Sequence, residues 1–312
     1  MIAFLSRSES RSGLSYNTLA IPVVLAVVLV AAAHGFATWG NLTNLSSQIA
    51  ALVIVSLGQL MVALIGGIDL SVGSVISLVS CVLATPGWSM SLTLPLSLGV
   101  GLVVGLINGW GVAVTGINPI VMTLSSMTFV QGATLVWQKI PGGIIPAGLR
   151  FVAVGNTLGI PHSFVWLALC ALVIGIVLTR TRFGLRLFAV GGNPVSAGLN
   201  GVPVRRITIS AYVVCSVLAV VAGVYLAGRI GSGDPKIGVS FGLDSLTAIA
   251  LGGTQLAGGI GGVASAVVGA VSLGLIGNGM NLLGVSAFLQ SAAKGVILVI
   301  AICAQRRKSV GV

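Results

Sequence analysis

The sequence predicts an all-α integral membrane protein of about ten transmembrane helices, arranged as a 5+5 inverted repeat. Three observations predict it. Hydrophobic residues make up 56% of the 312 and charged residues only 6%, with a mean hydropathy of +1.14. A soluble domain carries about a quarter charged residues because its surface faces water, so charge this sparse implies an outer surface that meets lipid. Apolar runs of spanning length recur along the whole chain. Length alone would allow two soluble domains, but the runs read as one continuous bundle. The 45 glycines, with many alanines and serines, supply the small residues that let lipid-embedded helices approach closely.

At about 20 apolar residues per crossing, ten spans follow in order: 19–38, 45–65, 70–86, 91–114, 118–138, 163–179, 207–228, 244–258, 262–282 and 286–304. They form a single transmembrane domain, 19–304, between an N-terminal segment 1–18 and a tail 305–312. The run from Leu19 to Ala37 also has features of a signal peptide, with small residues at Ala31 to Ala33. Its length and the spans behind it favour a retained first helix. Segments 70–86 and 244–258 are short, so a tilted, broken or re-entrant helix is open at each.

An even number of spans puts both termini on one side. The basic residues then divide ten against four. Arg7, Arg11, Arg180, Arg182, Arg186, Arg205, Arg206, Arg306, Arg307 and Lys308 fall on the side of the termini, and Lys139, Arg150, Arg229 and Lys236 on the other; Lys294 lies within the last span. Cations favour cytoplasmic loops, so the termini and the loop 180–206 are expected inside. The net charge of +11 is thereby read as orientation signal. Nucleic acid, the first partner such a value suggests, is excluded because the cations sit in short clusters between apolar runs. The segment 139–162, with Pro141, Gly142, Gly143, Pro146 and Pro161, is expected across the outer mouth.

An internal repeat supports the two-half architecture. Residues 101–109 read GLVVGLING and 269–279 read GAVSLGLIGNG, and upstream of each an acid opens a span, Asp69 in GIDLSVGS and Asp244 in FGLDSLTA. The copies stand five spans apart, and an odd offset inverts them, as in many transporters.

Catalytic chemistry is not expected. His34 and His162 sit at span ends with no carboxylate nearby in sequence, and the acids Glu9, Asp69, Asp234 and Asp244 form no pair with metal-ligand or acid–base spacing. Cys81, Cys170, Cys215 and Cys303 each lie in an apolar run and read as packing residues. No Gly-rich run ends in Lys-Ser or Lys-Thr, so the phosphate-cradling loop is lacking; ATP and Mg, if used, belong to another subunit, and no cofactor is expected on this chain. Ion-coupled carriers keep ionisable groups within their spans, and here Lys294 is the exception among spans almost free of them. Passage of a neutral polar solute fits better, with Asn108, Gln131, Asn278, Asn281 and Gln290 as lining candidates or, equally, as bonds between helices. Asp69, just before Leu70 and Ser71, is expected to cap the helix from 70, with a gate role for Asp69 and Ser71 as the alternative. Asp244 reads the same way for the helix behind it.

The inner loop is the most informative. Gly191-Gly192 is expected to break the chain, Asn193 to cap, Pro194 to occupy the first helical turn, and Ser196, Ala197, Leu199 and Asn200 to complete a short helix ended by Gly201; Pro203 blocks continuation. Such a helix, with Arg186, Arg205 and Arg206 around it, reads either as a docking peg for a partner protein or as a helix lying on anionic lipid.

Five motifs carry a resemblance: GGIDLSVGS (66–74), NPIVMTLSSMTFVQG (118–132), TRFGLRLFAVGGNPVSAGLNGV (181–202), LDSLTAIALGGTQLAGGIGG (243–262) and GNGMNLLGVS (277–286). From about residue 20 onward the chain resembles the ribose-type sugar permeases of bacterial ABC importers. The resemblance implies a subunit of the bacterial inner membrane, paired with an identical or related permease chain. It implies a periplasmic sugar-binding protein that delivers solute, and a cytoplasmic ABC ATPase that supplies energy. The family's coupling helix corresponds to Asn193–Asn200. Relatives often carry an acid directly after Gly-Gly-Asn, where this chain has Pro194, so docking here rests on shape and apolar contact. Related chains serve several sugars and a furanosyl signalling molecule. The alternative is an ATP-independent secondary transporter or facilitator of small neutral polar solutes.

Overall fold

The computed structural model describes residues 16–304. The expected tail 305–312 and most of the segment 1–18, with Arg7, Glu9, Arg11, Arg306, Arg307 and Lys308, lie outside the described residues. The described residues are predominantly helical. In order it forms α1 (Tyr16–Ala32), α2 (Trp39–Ala63), α3 (Val72–Leu83), α4 (Met90–Ala113), α5 (Pro119–Trp137), α6 (Ala147–Val154), a two-residue hairpin β1 (Asn156–Thr157) and β2 (Ile160–Pro161), and α7 (His162–Arg180). Then come α8 (Arg182–Gly192), α9 (Pro194–Leu199), α10 (Val204–Ile230), α11 (Phe241–Leu251), α12 (Val263–Leu282) and α13 (Ala287–Ala304). Seven of these, α2, α4, α5, α7, α10, α12 and α13, are long and apolar enough to cross a bilayer; α1, α3 and α11 are shorter apolar helices.

The two longest helices form the centre. α2 is buried without interruption from Ile49 to Ala63, and α10 packs directly on it. They meet at Gly58, where a side-chain methyl would lie only 3.1 Å from the Cys215 carbonyl oxygen. α4 packs along the other side of α10 through Gly101, Gly105 and Gly109. At Gly105 and Gly109 a methyl would lie 2.7 Å from the Cα atoms of Val213 and Ile209. Glycines four residues apart share a helix face, and a face without side chains brings two backbones into van der Waals contact, the main attraction left between helices in lipid. α12, the second glycine-rich helix, packs on α2 in place of α10.

The outer layer has the opposite character. α13 buries little of itself, and α4, α5 and α7 only a minor share of theirs. Their exposed side chains are large and apolar, among them Leu106, Phe129, Leu172, Phe288 and Val299. A patch of this extent would be unstable against water, and it is the surface a bilayer requires.

Two segments leave the helical bundle at opposite ends of α7. Ahead of its start, the segment leading into α6 pairs with the chain just after α10: Gly142 and Gly233 exchange backbone bonds at 2.9 and 2.8 Å, and Ile145 donates to the Gly231 carbonyl. Gly231 ends α10 in the left-handed conformation, φ +74°, as a helix C-terminus favours. At the end of α7, the inner loop is helical over most of its length, as α8 and α9.

Candidate functional site

The short helix α9 is built by local chemistry. Asn193 has extended backbone, φ −160° and ψ 107°, and its Oδ1 accepts the Ser196 amide at 2.9 Å. Pro194 follows at the first helical position, where its missing N–H costs nothing. The helix stops after Leu199: Asn200 Nδ2 donates to the Ser196 carbonyl at 2.8 Å, Gly201 turns at φ +78°, and the Val202 amide closes on the Ala197 carbonyl. Ala197 faces inward at 7% exposure. Val195 and Leu199 face out at 71% and 85%, and the flanking Arg186, Arg205 and Arg206 are exposed. The helix therefore presents two apolar side chains on a cationic face.

The expected break at Gly191-Gly192 is corrected. α8 runs through both glycines and stops at Asn193. Gly191 serves close approach instead: a side chain there would overlap the Leu64 carbonyl oxygen and come within 2.6 Å of the Gly259 amide nitrogen. Gly259 itself donates to Leu64 O at 2.9 Å. The stem of α9 thus rests on the turn between α2 and α3 and on the loop between α11 and α12. Around Gly192 there is open space.

The turn between α2 and α3 carries the next group. Asp69 is fully buried, and its Oδ1 accepts from the Ser71 amide at 2.9 Å and the Ser71 hydroxyl at 2.6 Å. The helix it caps begins at Val72, two residues later than the sequence suggests, with Ser71 as the cap position. Asn108 of α4 donates to Ser71 Oγ at 2.9 Å and accepts from the Ser126 hydroxyl of α5. With its amide in the orientation that satisfies both atoms, Gln59 of α2 brackets the Asp69 backbone at 3.0 and 3.2 Å. One polar chain therefore ties α2, α3, α4 and α5 together. Asp69, Ser71 and Asn108 belong to it; Gln59 and Ser126 are members that the sequence reading missed, because an isolated Gln or Ser in an apolar run carries no signal of its own.

The remaining lining candidates lie elsewhere. Gln131 donates to the Pro235 carbonyl at 2.8 Å. Asn278 and Asn41 exchange bonds at 2.8 and 3.1 Å, joining α12 to α2. Gln290 donates back to the Val285 carbonyl, and Asn281 is exposed beyond them. Gln131 and Asn278 thus make bonds between helices and loops, the alternative reading of these residues.

Asp244 also departs from expectation. It does not open its helix, which begins at Phe241, and it caps nothing. It lies in the first turn of α11 and pairs with Lys294 of α13, Oδ2 to Nζ at 2.8 Å. His162 is held by Thr157 and by the Phe151 carbonyl, with its ring edge-on to Phe151, a packing role at the start of α7. Among the described residues, no three His, Cys, Asp or Glu side chains converge as a metal site.

Comparison with known proteins agrees with this architecture. The family described as branched-chain amino acid transport system / permease component matches residues 41–302. The ribose import permease protein of Bacillus subtilis is 35% identical over 275 residues, covering 86% of this chain and 85% of that protein. The ribose import permease protein of Escherichia coli K12 is 32% identical, covering 94% and 93%. The L-arabinose transport system permease protein of the same organism is 34% identical, covering 97% and 94%. No solved structure matches the chain significantly.

Proposed function

The chain belongs to the family of branched-chain amino acid transport system permease components, and on that premise we propose that it is the membrane-spanning subunit of an ATP-driven importer of a sugar or sugar-like solute. The family description is broader than the relatives that match nearly full length, and those are named for ribose and L-arabinose; the sugar reading follows them. The observation that carries it is α9, a six-residue helix with its own cap and stop, which offers Val195 and Leu199 to a partner from a stem seated on the bundle.

A bound ATPase moves α9 when it closes on ATP. Gly191 passes that motion to the turn before α3 and to the loop after α11. The solute must bind the two resulting states differently for ATP to drive net movement. ATP and Mg sit on the ATPase subunit, a periplasmic binding protein delivers the solute, and a second permease chain completes the assembly in the bacterial inner membrane. Both termini and α9 face the cytoplasm, supported by the ten-to-four division of basic residues.

The ten crossings form a 5+5 inverted repeat, α1–α5 against α7 and α10–α13. What supports it is reciprocal packing: α4 lies on α10 as α12 lies on α2, α3 on α10 as α11 on α2, and α3 on α5 as α11 on α13.

The test is affinity purification of the tagged chain in mild detergent, together with ATP-dependent D-ribose and L-arabinose uptake. Recovery of an ATP-binding subunit, lost with Leu199→Asp, is expected. A chain that purifies alone, with uptake indifferent to ATP, would make it an autonomous carrier and overturn the reading.

A further inference from the structure

We propose that Asp244 and Lys294 line a water-filled path through the bundle and hold a neutral, polyhydroxylated solute by hydrogen bonds as it passes. The proposal deepens the import reading above and rests on it for the identity of the solute.

The argument starts from how this protein treats its two intramembrane carboxyls. Asp69 is sealed, at 0% exposure, with Oδ1 bound twice by Ser71 and Oδ2 buried without a partner among the described residues. Asp244 is left open, and so is its partner: the side chains of Lys294 and Asp244 are 26% and 13% exposed. Their bond uses one of three ammonium donors and one of two carboxylate oxygens, and no other bond to either side chain occurs among the described residues. A charge pair in a dry interior survives only when its remaining donors and acceptors are satisfied, and charged groups within spans face a cavity or a protein partner, seldom lipid. What sets this pair apart from Asp69 is that its unused valences are exposed, and exposed charged valences within a span point to water.

The opposite face of α13 has the character of a lipid-facing surface. Phe288, Leu289, Val299 and Ile300 are exposed and apolar, as a lipid-facing surface requires. Ser291, one turn before Lys294 and bordering it on the helix surface, is exposed, its hydroxyl donating to the Ala287 carbonyl at 3.0 Å. One small polar side chain thus stands between the half-open ion pair and the apolar face of the helix.

The chemistry selects the ligand class. The pair is neutral as a whole, so it raises no net charge barrier to a neutral solute. A hydroxyl group both donates and accepts, so it can accept a hydrogen bond from Nζ and donate one to the free carboxylate oxygen at once. Vicinal hydroxyls do this in tandem. An alkyl solute makes neither bond, and an anion gains Lys294 only by meeting Asp244.

The experiment uses the full chain in right-side-out membrane vesicles, with Cys303, the exposed cysteine, replaced by Ser. Ser291→Cys is treated with a charged, membrane-impermeant methanethiosulfonate, and Leu172→Cys on the apolar face of α7 serves as the lipid-facing control. We expect Ser291→Cys to react, D-ribose to slow the reaction, and Leu172→Cys to stay inert. Ser291→Cys as inert as the control would overturn the proposal, whether lipid or a second copy covers that position. Lys294→Met is expected to raise KM for D-ribose uptake about fivefold or more, the loss of one or two hydrogen bonds, with assembly size retained; an unchanged KM would equally overturn it. If Lys294→Met does not assemble, the double variant Asp244→Leu/Lys294→Met, which removes the hydrogen-bonding groups and leaves no unpaired charge, replaces it with the same criterion. Wild-type vesicles without any ATP-dependent pentose uptake would remove the import reading alone, because thiol reactivity judges the wet path independently.

Discussion

Gly191 rests on the carbonyl oxygen of Leu64, so closely that no side chain fits between them, although the two residues lie in different halves of the chain. The same oxygen accepts the Gly259 amide at 2.9 Å. A lever needs a fulcrum, and this contact is a fixed point between the stem of the partner-facing helix α9 and the bundle. It yields a prediction with a built-in control. Ala is a better helix former than Gly by about 1 kcal/mol, so Gly192→Ala, in open space, is expected to leave thermal stability unchanged or slightly raised. Gly191→Ala is expected to lower it and to abolish ATP-driven uptake. Equal melting temperatures for the two variants in detergent would show that the contact carries no strain.

The side chain of Asn193 sets the first turn of α9, and a helix this short has little else to fix it. Losing a cap costs about 1 kcal/mol, which matters more for six residues than for twenty. Asn193→Ala should weaken recovery of the ATPase subunit by about fivefold, the factor that about 1 kcal/mol represents, whereas Asn193→Asp or Asn193→Ser, which keep an acceptor, should recover most of it. An Asn193→Ala chain that copurifies at the wild-type level would show that the partner, not the cap, orders α9.

This element was legible in the sequence because its signals are local. Asn193, Pro194 and Gly201 act on backbone within three residues of themselves, and their chemistry predicts the helix and both its ends. Gly191-Gly192 was misread for the opposite reason. A glycine that turns the chain and a glycine that admits a distant backbone look alike until the partner is known, and Leu64 and Gly259 are remote in sequence. The Asp244–Lys294 pair, fifty positions apart, was hidden in the same way: Asp244 had a plausible local role as a cap, and Lys294 had no neighbour in sequence to suggest a partner. Asp69 was half legible, since capping was foreseen but Asn108, Ser126 and Gln59 were not attached to it.

The Asp69 network makes its own prediction. Asp69→Asn keeps an oxygen for the Ser71 amide and hydroxyl, so the turn before α3 should hold. Asp69→Ala strands both groups in a fully buried site, at about 1–3 kcal/mol. Thermal unfolding of the two variants in detergent should therefore separate them, with Asp69→Ala the lower. Coincident unfolding curves would mean that Gln59, which brackets the Asp69 backbone, holds the turn by itself.

Asn41 and Asn278 join α2 to α12 by two reciprocal amide bonds. Hydrogen bonds between membrane helices average about 0.6 kcal/mol and reach about 1.7. A double-mutant cycle with Asn41→Leu and Asn278→Leu is expected to return a coupling energy near the upper of these values, because the pair is two bonds. A coupling indistinguishable from zero would assign both residues to another role, and the lining role raised by the sequence would then be the one to pursue.

The last prediction concerns orientation, on which the placement of every partner depends. Leu158, at the tip of the hairpin, is 97% exposed, and Leu199 on α9 is 85% exposed. They lie beyond opposite ends of α7, a 19-residue helix about long enough to cross the hydrocarbon core. With Cys303 replaced by Ser and the other cysteines buried, Leu158→Cys should react with an impermeant thiol reagent in intact cells whose outer membrane admits it. Leu199→Cys should react only after the inner membrane is opened. The reverse pattern would turn the bundle over, place α9 where no cytoplasmic ATPase can reach it, and leave the division of basic residues without its orienting role. Labelling of both positions in intact cells would mean that α7 does not cross the bilayer, and the repeat that pairs it with α1 would fail with it.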